Sequence, residues 1–528
     1  MALTVPEYNY TDAQQAVNDD LPAWIGLNRR YYEDDHWQNG AGWTGPRPEV
    51  GNASYATVMA EIARSFVSQN TIARVVDRHA SAVAGREIAW GLTVRRPLKD
   101  GEMPTEAEMA LIREAEAALT EWWDAQGVQV SLLETVRTSQ WAGSAPLRLF
   151  VPEGKRDANG MVGTKTDLAE ALALIFLDQP APEAFNMVTD TKTMGKAGIY
   201  LYTDDDETDW AEICYLDQDD KTVVKILGRE QAEEYVLDLG GRLLHHQLKA
   251  KLLITDSVRR NQRLLNKALT MLDRNVDLAG FLERTLLNAQ LPGAYEKDAN
   301  GVSRFVPAPL HVGPGSINAF VGVLTEDDLT GASRLATPDI VYRDPVPVTT
   351  FEGTKSMALK SILEDTHQLH AIMAGDATAT GEARRQAMAE FESSIRPTKS
   401  VTDQAVRWLL ETALALASLF SGQAGKYADL RANADCKLFS GPPPSDEIPN
   451  TINLHARHLL SRRTAMSRVG VEDPDAELAM IEAEMETAMA QQDEERRRIE
   501  EELRNAGGGA NQGAEGIVST GTADGGGE

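Results

Sequence analysis

Between Tyr55 and Ala84, apolar side chains recur at Val58, Ile62, Phe66, Ile72, Val75, Val76 and Val83, mostly three, four or seven apart. That spacing predicts one helix across the interval. Behind Pro104, Thr105 and Glu106 open a Glu- and Ala-rich run through Trp123, and its composition favours a second helix. From 146 to 227 the period shortens. Runs at 147–151, 199–202, 212–216 and 222–226 are rich in β-formers and separated by polar turns, so strands are expected. The acids Asp204, Asp205, Asp206, Glu207 and Asp209 fall between two of these runs, at the position of a hairpin tip.

A long helix is predicted from Asp256 or Ser257, each a good N-cap, to Gln290 ahead of Pro292. Leu264, Leu265, Ala268, Met271, Leu272, Val276, Leu278, Ala279, Leu282 and Leu286 give it an apolar stripe. Arg259, Arg260, Arg263, Lys267, Arg274 and Arg284 make its other face basic. The Gly- and Pro-punctuated residues 293–347 are too many for a bare loop and imply a small fold of their own. Helix is expected again over 353–373. It breaks at the small-residue segment Ala374, Gly375, Asp376, Ala377, Thr378, Ala379, Thr380, Gly381 and resumes over 382–420, kinked at Pro397. Glycines at both ends of the segment make a closely approachable tip. A short helix over 452–460 and a Glu-rich one over 475–504 follow, and the Gly-rich tail beyond Asn505 has the composition of disorder.

Composition narrows the class. The 528 residues, 42% hydrophobic and 25% charged, are ordinary for a multidomain globular protein of mixed α+β, mainly helical, character. The longest uncharged apolar run, near 412–420, is far shorter than the ~20 residues that cross a bilayer, so no membrane role is expected. The first thirty residues lack a basic start followed by an apolar stretch, and Cys214 and Cys436 are too few for a disulfide framework, so a reducing cytoplasm is the expected compartment. A net charge of −28 argues against a tight nucleic-acid binder, since phosphate is held by Lys and Arg.

No phosphate-cradling loop, H-E-x-x-H, G-x-S-x-G or dinucleotide-binding glycine pattern is present, so neither enzyme activity nor a cofactor is expected. The pairs His367/His370 and His455/His458 could each share a helical face, but with no carboxylate or thiolate at metal spacing they read as packing or surface residues. Tyr31, Tyr32, His36, Trp37 and Trp43 lack interleaved basic residues and fit core packing better than base stacking.

Four passages, taken in order, resemble the portal proteins of tailed bacteriophages. The first is Tyr31-Tyr32-Glu33-Asp34-Asp35-His36-Trp37-Gln38-Asn39-Gly40 with Asn70-Thr71-Ile72-Ala73-Arg74-Val75-Val76. The second is Asn261-Gln262-Arg263-Leu264-Leu265-Asn266 within a long helix. The third is Gly381-Glu382-Ala383-Arg384-Arg385, where Thr380 replaces the more usual Ser. The fourth begins at Ser461-Arg462-Arg463-Thr464-Ala465 and continues through Asp473-Pro474 to Ile481-Glu482-Ala483-Glu484.

The resemblance implies a portal-type fold assembling as a ring. Residues 1–255 would be the wing, with a β-rich part at 146–227. The stem helices would occupy 256–292 and 348–373, with the clip between them at 293–347. The tunnel loop would be 374–381, the kinked wing helix and its return 382–435, the crown 436–505 and the tail 506–528. It further implies a homo-oligomer of twelve copies, thirteen in isolation being the variant, at the capsid portal vertex of a virion assembled in the host cytoplasm. Double-stranded DNA would pass through it. Its partners would be the terminase large subunit, the head-tail adaptor, and the major capsid and scaffolding proteins. Gly375, Asp376, Ala377, Thr378, Ala379, Thr380 and Gly381 would line the channel, and Arg259, Arg260, Arg263 and Lys267 would form a basic face of the stem. The alternatives are another oligomeric phage-head protein without DNA passage, or a metal-dependent nuclease using the acidic clusters.

Overall fold

The computed structural model describes residues 5–97, 103–163, 165, 167–189, 195–280, 284–290, 293–297, 301, 303–307, 321–326, 333–342, 344–373, 380–438 and 447–457, with scattered residues of 462–499. The chain divides into two units, Met1–Ser440 and Gly441–Glu528. The architecture is α+β, mainly helical.

The first unit opens with α1 (Tyr10–Asp19), α2 (Trp24–Tyr32), α3 (Tyr55–Arg64) and α4 (Thr71–Ala84). The single helix expected over 55–84 is therefore two. The Asn70 side chain caps α4 by accepting from the Ala73 N–H at 2.9 Å, which fixes a helix start where the apolar period alone showed none. After β1 (Ala89–Val94) comes α5 (Glu106–Ala125), begun by a capping box in which Thr105 and Glu108 satisfy each other's backbone N–H groups. An unexpected helix, α6 (Val128–Ala142), lies between Gly127 and Gly143, both at positive φ, where glycine bears no Cβ penalty.

Next come β2 (Ser144–Phe150), α7 (Leu168–Leu172), β3 (Phe176–Asp178), β4 (Phe185–Thr189), β5 (Lys196–Thr203), β6 (Asp209–Leu216), β7 (Thr222–Leu227), β8 (Ala232–Leu237) and β9 (His245–Lys249). Strands β4 to β8 form an antiparallel meander in chain order, and a second sheet runs β3-β2-β9. The β5–β6 turn is the expected hairpin tip. Asp204 accepts there from the backbone of Asp206 (3.0 Å) and Thr208 (2.8 Å) and from Trp210 Nε1 (2.8 Å).

Helix α8 (Asp256–Gly280) starts behind Thr255, whose hydroxyl accepts from the Val258 N–H, so the cap lies one residue before the expected pair. It ends at Gly280 and not at Gln290. The continuation instead forms β10 (Arg284–Leu287), β11 (Ala289–Gln290), β12 (Gly293–Lys297), β13 (Ser303–Pro307), β14 (Val321–Gly322), β15 (Leu324–Glu326), β16 (Ser333–Leu335) and β17 (Asp339–Tyr342). These pair as two-stranded ribbons, β10 with β17, β11 with β14, β12 with β13 and β15 with β16. Pairing of 284–287 with 339–342 overrides the helix propensity of the 281–290 segment. Then follow α9 (Val348–Asp365), α10 (His370–Met373), α11 (Gly381–Phe420, with Pro397 inside it) and β18 (Leu430–Asp435), which pairs antiparallel with β1.

The main core gathers α5, α6, both sheets and the second half of α11. Around it Val406, Leu409, Leu410, Ala413 and Ala417 are buried at helical spacing. A second cluster, Ile25, Tyr31, Ile72, Val75, Val76, Trp141, Ile254, Val258, Ile362 and Leu363, seats one end of α8 and α9 on α2, α4 and α6.

In the second unit, α12 (Glu447–Ala456) replaces the helix expected over 452–460, and its Pro449 sits in the first turn, where a missing N–H costs nothing. Most of 475–504 and all of 505–528 fall outside the described residues.

Candidate functional site

Helices α8 and α9 pack side by side. Val258 meets Ile362 and Leu363 at one end. At the other, the Asn275 amide donates to the Val346 carbonyl and accepts from the Val346 N–H, both at 2.8 Å. The helices are therefore antiparallel, and the β10–β17 pair extends them from Arg284↔Tyr342 to Leu287↔Asp339. Beyond Asn275 apolar groups stand uncovered, among them Val276, Leu287, Tyr295 and Val341, and Val348 and Met357 are exposed along α9 itself.

The face by which α8 is seated carries polar residues beside the buried Val258, Leu265 and Ala268. Gln262, Asn266 and Thr270 are buried at spacings of four. Gln262 donates to the Gln69 carbonyl (2.7 Å) and accepts from the Thr71 N–H (3.2 Å). Asn266 Oδ1 accepts from the Gln69 N–H (3.3 Å), and its Nδ2 lies 2.9 Å from His36 Nδ1. The Thr270 hydroxyl accepts from the Val67 N–H at 3.1 Å. The 67–71 segment between α3 and α4 is thus paired as a strand would be, by side chains of a helix. Of the expected apolar stripe, Leu265 and Ala268 are buried, while Leu264, Met271 and Leu272 are half-buried, Met271 against the Trp43, Met59 and Ile62 cluster.

The four basic residues expected to share a face do not. Arg259 is 6% exposed, and its guanidinium donates to Asn28, Asp256 and the Ile254 carbonyl, so it belongs to the seat of α8. A fixed charge finds its hydrogen bonds inside, because Asn28 of α2 holds it there while also bridging the Trp141 and Ile254 carbonyls. Arg260 is exposed and pairs with Asp256 at 3.5 Å. Arg263 and Lys267 are half-buried. Burial pushes the Tyr31 hydroxyl up, and the charge of Arg263 offsets part of that push.

Of the small-residue segment, Gly375, Asp376, Ala377, Thr378 and Ala379 lie outside the described residues. Thr380 caps α11, its hydroxyl accepting from the Ala383 N–H at 3.2 Å, and Gly381 is the first helical residue. On the approach, α9 stops at Asp365, short of the expected 373. Gln368, fully buried, donates to the Val75 carbonyl (2.7 Å), accepts from Arg78 (2.9 Å) and gives its N–H to the Leu363 carbonyl (2.7 Å). His367 adopts positive φ and meets Glu390 at 2.9 Å, so His367 and His370 do not share a helical face. His458 lies outside the described residues.

A further constellation stands in the β-rich region. Glu212, 3% exposed, receives Arg148 Nε at 2.9 Å and lies 2.9 Å from His245 Nε2, while Arg148 also reaches Asp178 at 3.4 Å. Burial pushes the Glu212 carboxyl up, but the Arg148 charge and these hydrogen bonds outweigh it and hold the group well below the usual carboxylate range. The sequence signal was a lone acid inside an apolar strand, which marks a charge with a buried partner. Tyr31, His36 and Trp43 are buried, as core packing requires. Among the described residues no group of His, Cys, Asp or Glu stands together as metal ligands would, and no helix is long and apolar enough to cross a membrane.

No family model matches the chain, and no curated protein does. Among solved structures, a chain from the virion of a native gene transfer agent particle is similar. It is 16% identical, and the likeness covers 83% of this chain and 98% of that one with a TM-score of 0.34.

Proposed function

We propose that this chain is a structural subunit of a phage-type virion, and specifically the portal subunit that forms a ring at one capsid vertex. Double-stranded DNA would be packaged and ejected through that ring. The observation that carries the reading is the antiparallel α8–α9 pair, with strand ribbons at one end and, at the other, a connection into the proline-bearing α11. The four sequence passages support it in the same order along the chain. On this reading α8 and α9 are the stem, residues 293–347 the clip that meets the terminase large subunit and later the head-tail adaptor, and residues 1–255 the wing facing capsid and scaffolding proteins. The 374–381 segment is the tunnel loop, and residues beyond 436 form the crown and tail.

A net charge of −28 per copy suits this task. A strongly basic bore would hold phosphate through counterion release and trap DNA at each step, whereas weakly repulsive walls let a polyanion slide. The burial of Arg259 takes one cation away from any such bore. The uncovered apolar groups beyond Asn275 are the surface that neighbouring copies would cover.

Electron-microscope class averages of the purified protein test the reading. A twelve- or thirteen-membered ring with a central hole is expected, and a monomer or a closed shell would refute it. In a packaging assay, Asp376→Arg or Thr378→Arg should stall DNA entry in assembled rings. Normal packaging by such a ring would remove the loop from the channel.

A further inference from the structure

At the root of the connection between α9 and α11, one aromatic ring is flanked by two imidazoles. Phe391 of α11 is 1% exposed. His79 of α4 meets it edge-on, with ring centroids 6.2 Å apart, and His370 of α10 lies against it at 4.5 Å. His79 Nε2 lies 3.3 Å from the Thr398 hydroxyl, which also receives Gln140 of α6 at 3.5 Å. Nδ1 of both histidines is buried without a hydrogen-bond partner among the described residues.

Among the described residues, the charged groups that face them are of one sign with a single exception. From α4, Arg78 faces His370, and Arg74 stands beside Arg78. Lys251, ahead of α8, and His367, in the turn before α10, face His79. The exception is Glu390 of α11, already engaged by His367 at 2.9 Å. A proton placed on either flanking ring would therefore enter a site that offers it little solvation, several cations and no free carboxylate.

Helix α10 is held by few groups, and the His370 ring is one of them. It is one turn long and follows a residue at positive φ. Its anchors are the Gln368 side chain, the backbone of the preceding turn, the His367–Glu390 contact, the half-buried Leu369 and Ala371 against the second cluster, and the contact of His370 with Phe391. The second half of α11, by contrast, is built into the main core.

We propose that the His79–Phe391–His370 stack is an acid-operated latch: with neutral imidazoles α10 stays docked on α4 and α11, and protonation of the stack releases residues 367–373 while α9 and the second half of α11 stay folded. The latch stands independently of the ring reading. The direction is fixed by linkage. Burial, with Lys251 and His367 for His79 and with Arg78 for His370, lowers both groups to about 4, against about 6.5 in an open state. The open state therefore takes up protons first, and docking weakens as pH falls below about 6.5.

Hydrogen–deuterium exchange of the full chain at pH 7 and pH 5, corrected for intrinsic rates, tests this. Protection of residues 367–373 should fall about tenfold or more at pH 5, with α9 and residues 400–420 remaining the better protected at both pH values. In the double variant His79→Gln, His370→Gln that step should vanish. If circular dichroism shows the double variant unfolded at pH 7, His370→Gln alone replaces it and should remove at least half of the step on a logarithmic scale. The latch is overturned by an undiminished step in the variant, by no step in the native chain, or by a fall of protection in all three regions to one common level.

Discussion

At the scale of single residues, the buried Glu212 carboxylate has the most at stake. Moving a charge out of water costs several kcal/mol, and Arg148 and His245 offset that cost only while both hold it. Arg148→Met would remove the cation and leave the anion in the core. We expect a loss of about 3–5 kcal/mol in urea unfolding, whereas Glu212→Gln, which leaves no anion to solvate, should cost less than Arg148→Met. An equal effect of the two would show that the pair's charge is immaterial. Two residues along β6 on the same side, Cys214 shares this interior, where the Leu244 N–H lies 3.3 Å from its sulfur. Burial pushes its thiol up to about 12, and burial likewise raises Cys436. A thiol reagent at pH 8 should therefore modify neither cysteine in the native chain and both after denaturation, read by mass spectrometry.

Among elements, α8 shows how a helix can be seated by hydrogen bonds where the sequence advertises an apolar stripe. Gln262 and Asn266 each satisfy backbone groups of the 67–71 segment, at the half-buried Gln69 and the buried Thr71, so their removal takes the partners from those groups. Gln262→Ala and Asn266→Ala should each cost about 1–3 kcal/mol in urea unfolding. Leu264→Ala, at a half-buried position of the stripe, should cost less than either; the reverse order would return the seat to the apolar face. This element also marks where sequence reading succeeds and where it stops. The helix start at Thr105, the acidic turn at Asp204 and the helix that resumes after the small-residue segment were legible because each is fixed by side chains within a few residues of one another. The inward turn of Arg259 was not, because its partner Asn28 lies 231 positions away. The end of α8 at Gly280 was hidden for the same reason. Pairing of 284–287 with 339–342 decides it, and local propensity carries no trace of a strand partner so remote. Helix α6 escaped because Thr135, Ser139 and Gln140 occupy its buried face while Val130 stands exposed, which blurs the apolar 3.6-residue period.

For the whole molecule, two effects of acid oppose each other between pH 7 and pH 5. At −28 the chain repels itself, and proton uptake relieves that repulsion, which favours the folded state. Against this stand buried histidines that fold only when neutral. His246 lies stacked on Trp408 at 5.0 Å, and burial, with Lys196, lowers it to about 4; His79 is lowered as far. A group whose folded value lies below its unfolded one stabilises the fold fully above about 6.5 and loses that contribution as pH falls towards 4. For His79 and His246 the loss is on the order of 3 kcal/mol each at the acid limit. Self-repulsion is spread over a large surface and is screened within about 10 Å at 0.1 M salt, so it is the smaller effect. The urea midpoint should therefore fall from pH 7 to pH 5. It should fall by nearly as much in 0.5 M sodium chloride, and by less in His246→Gln. A midpoint that rises on acidification at low salt and flattens at high salt would reverse the order, making surface charge and not the buried imidazoles the governing acid response of this chain.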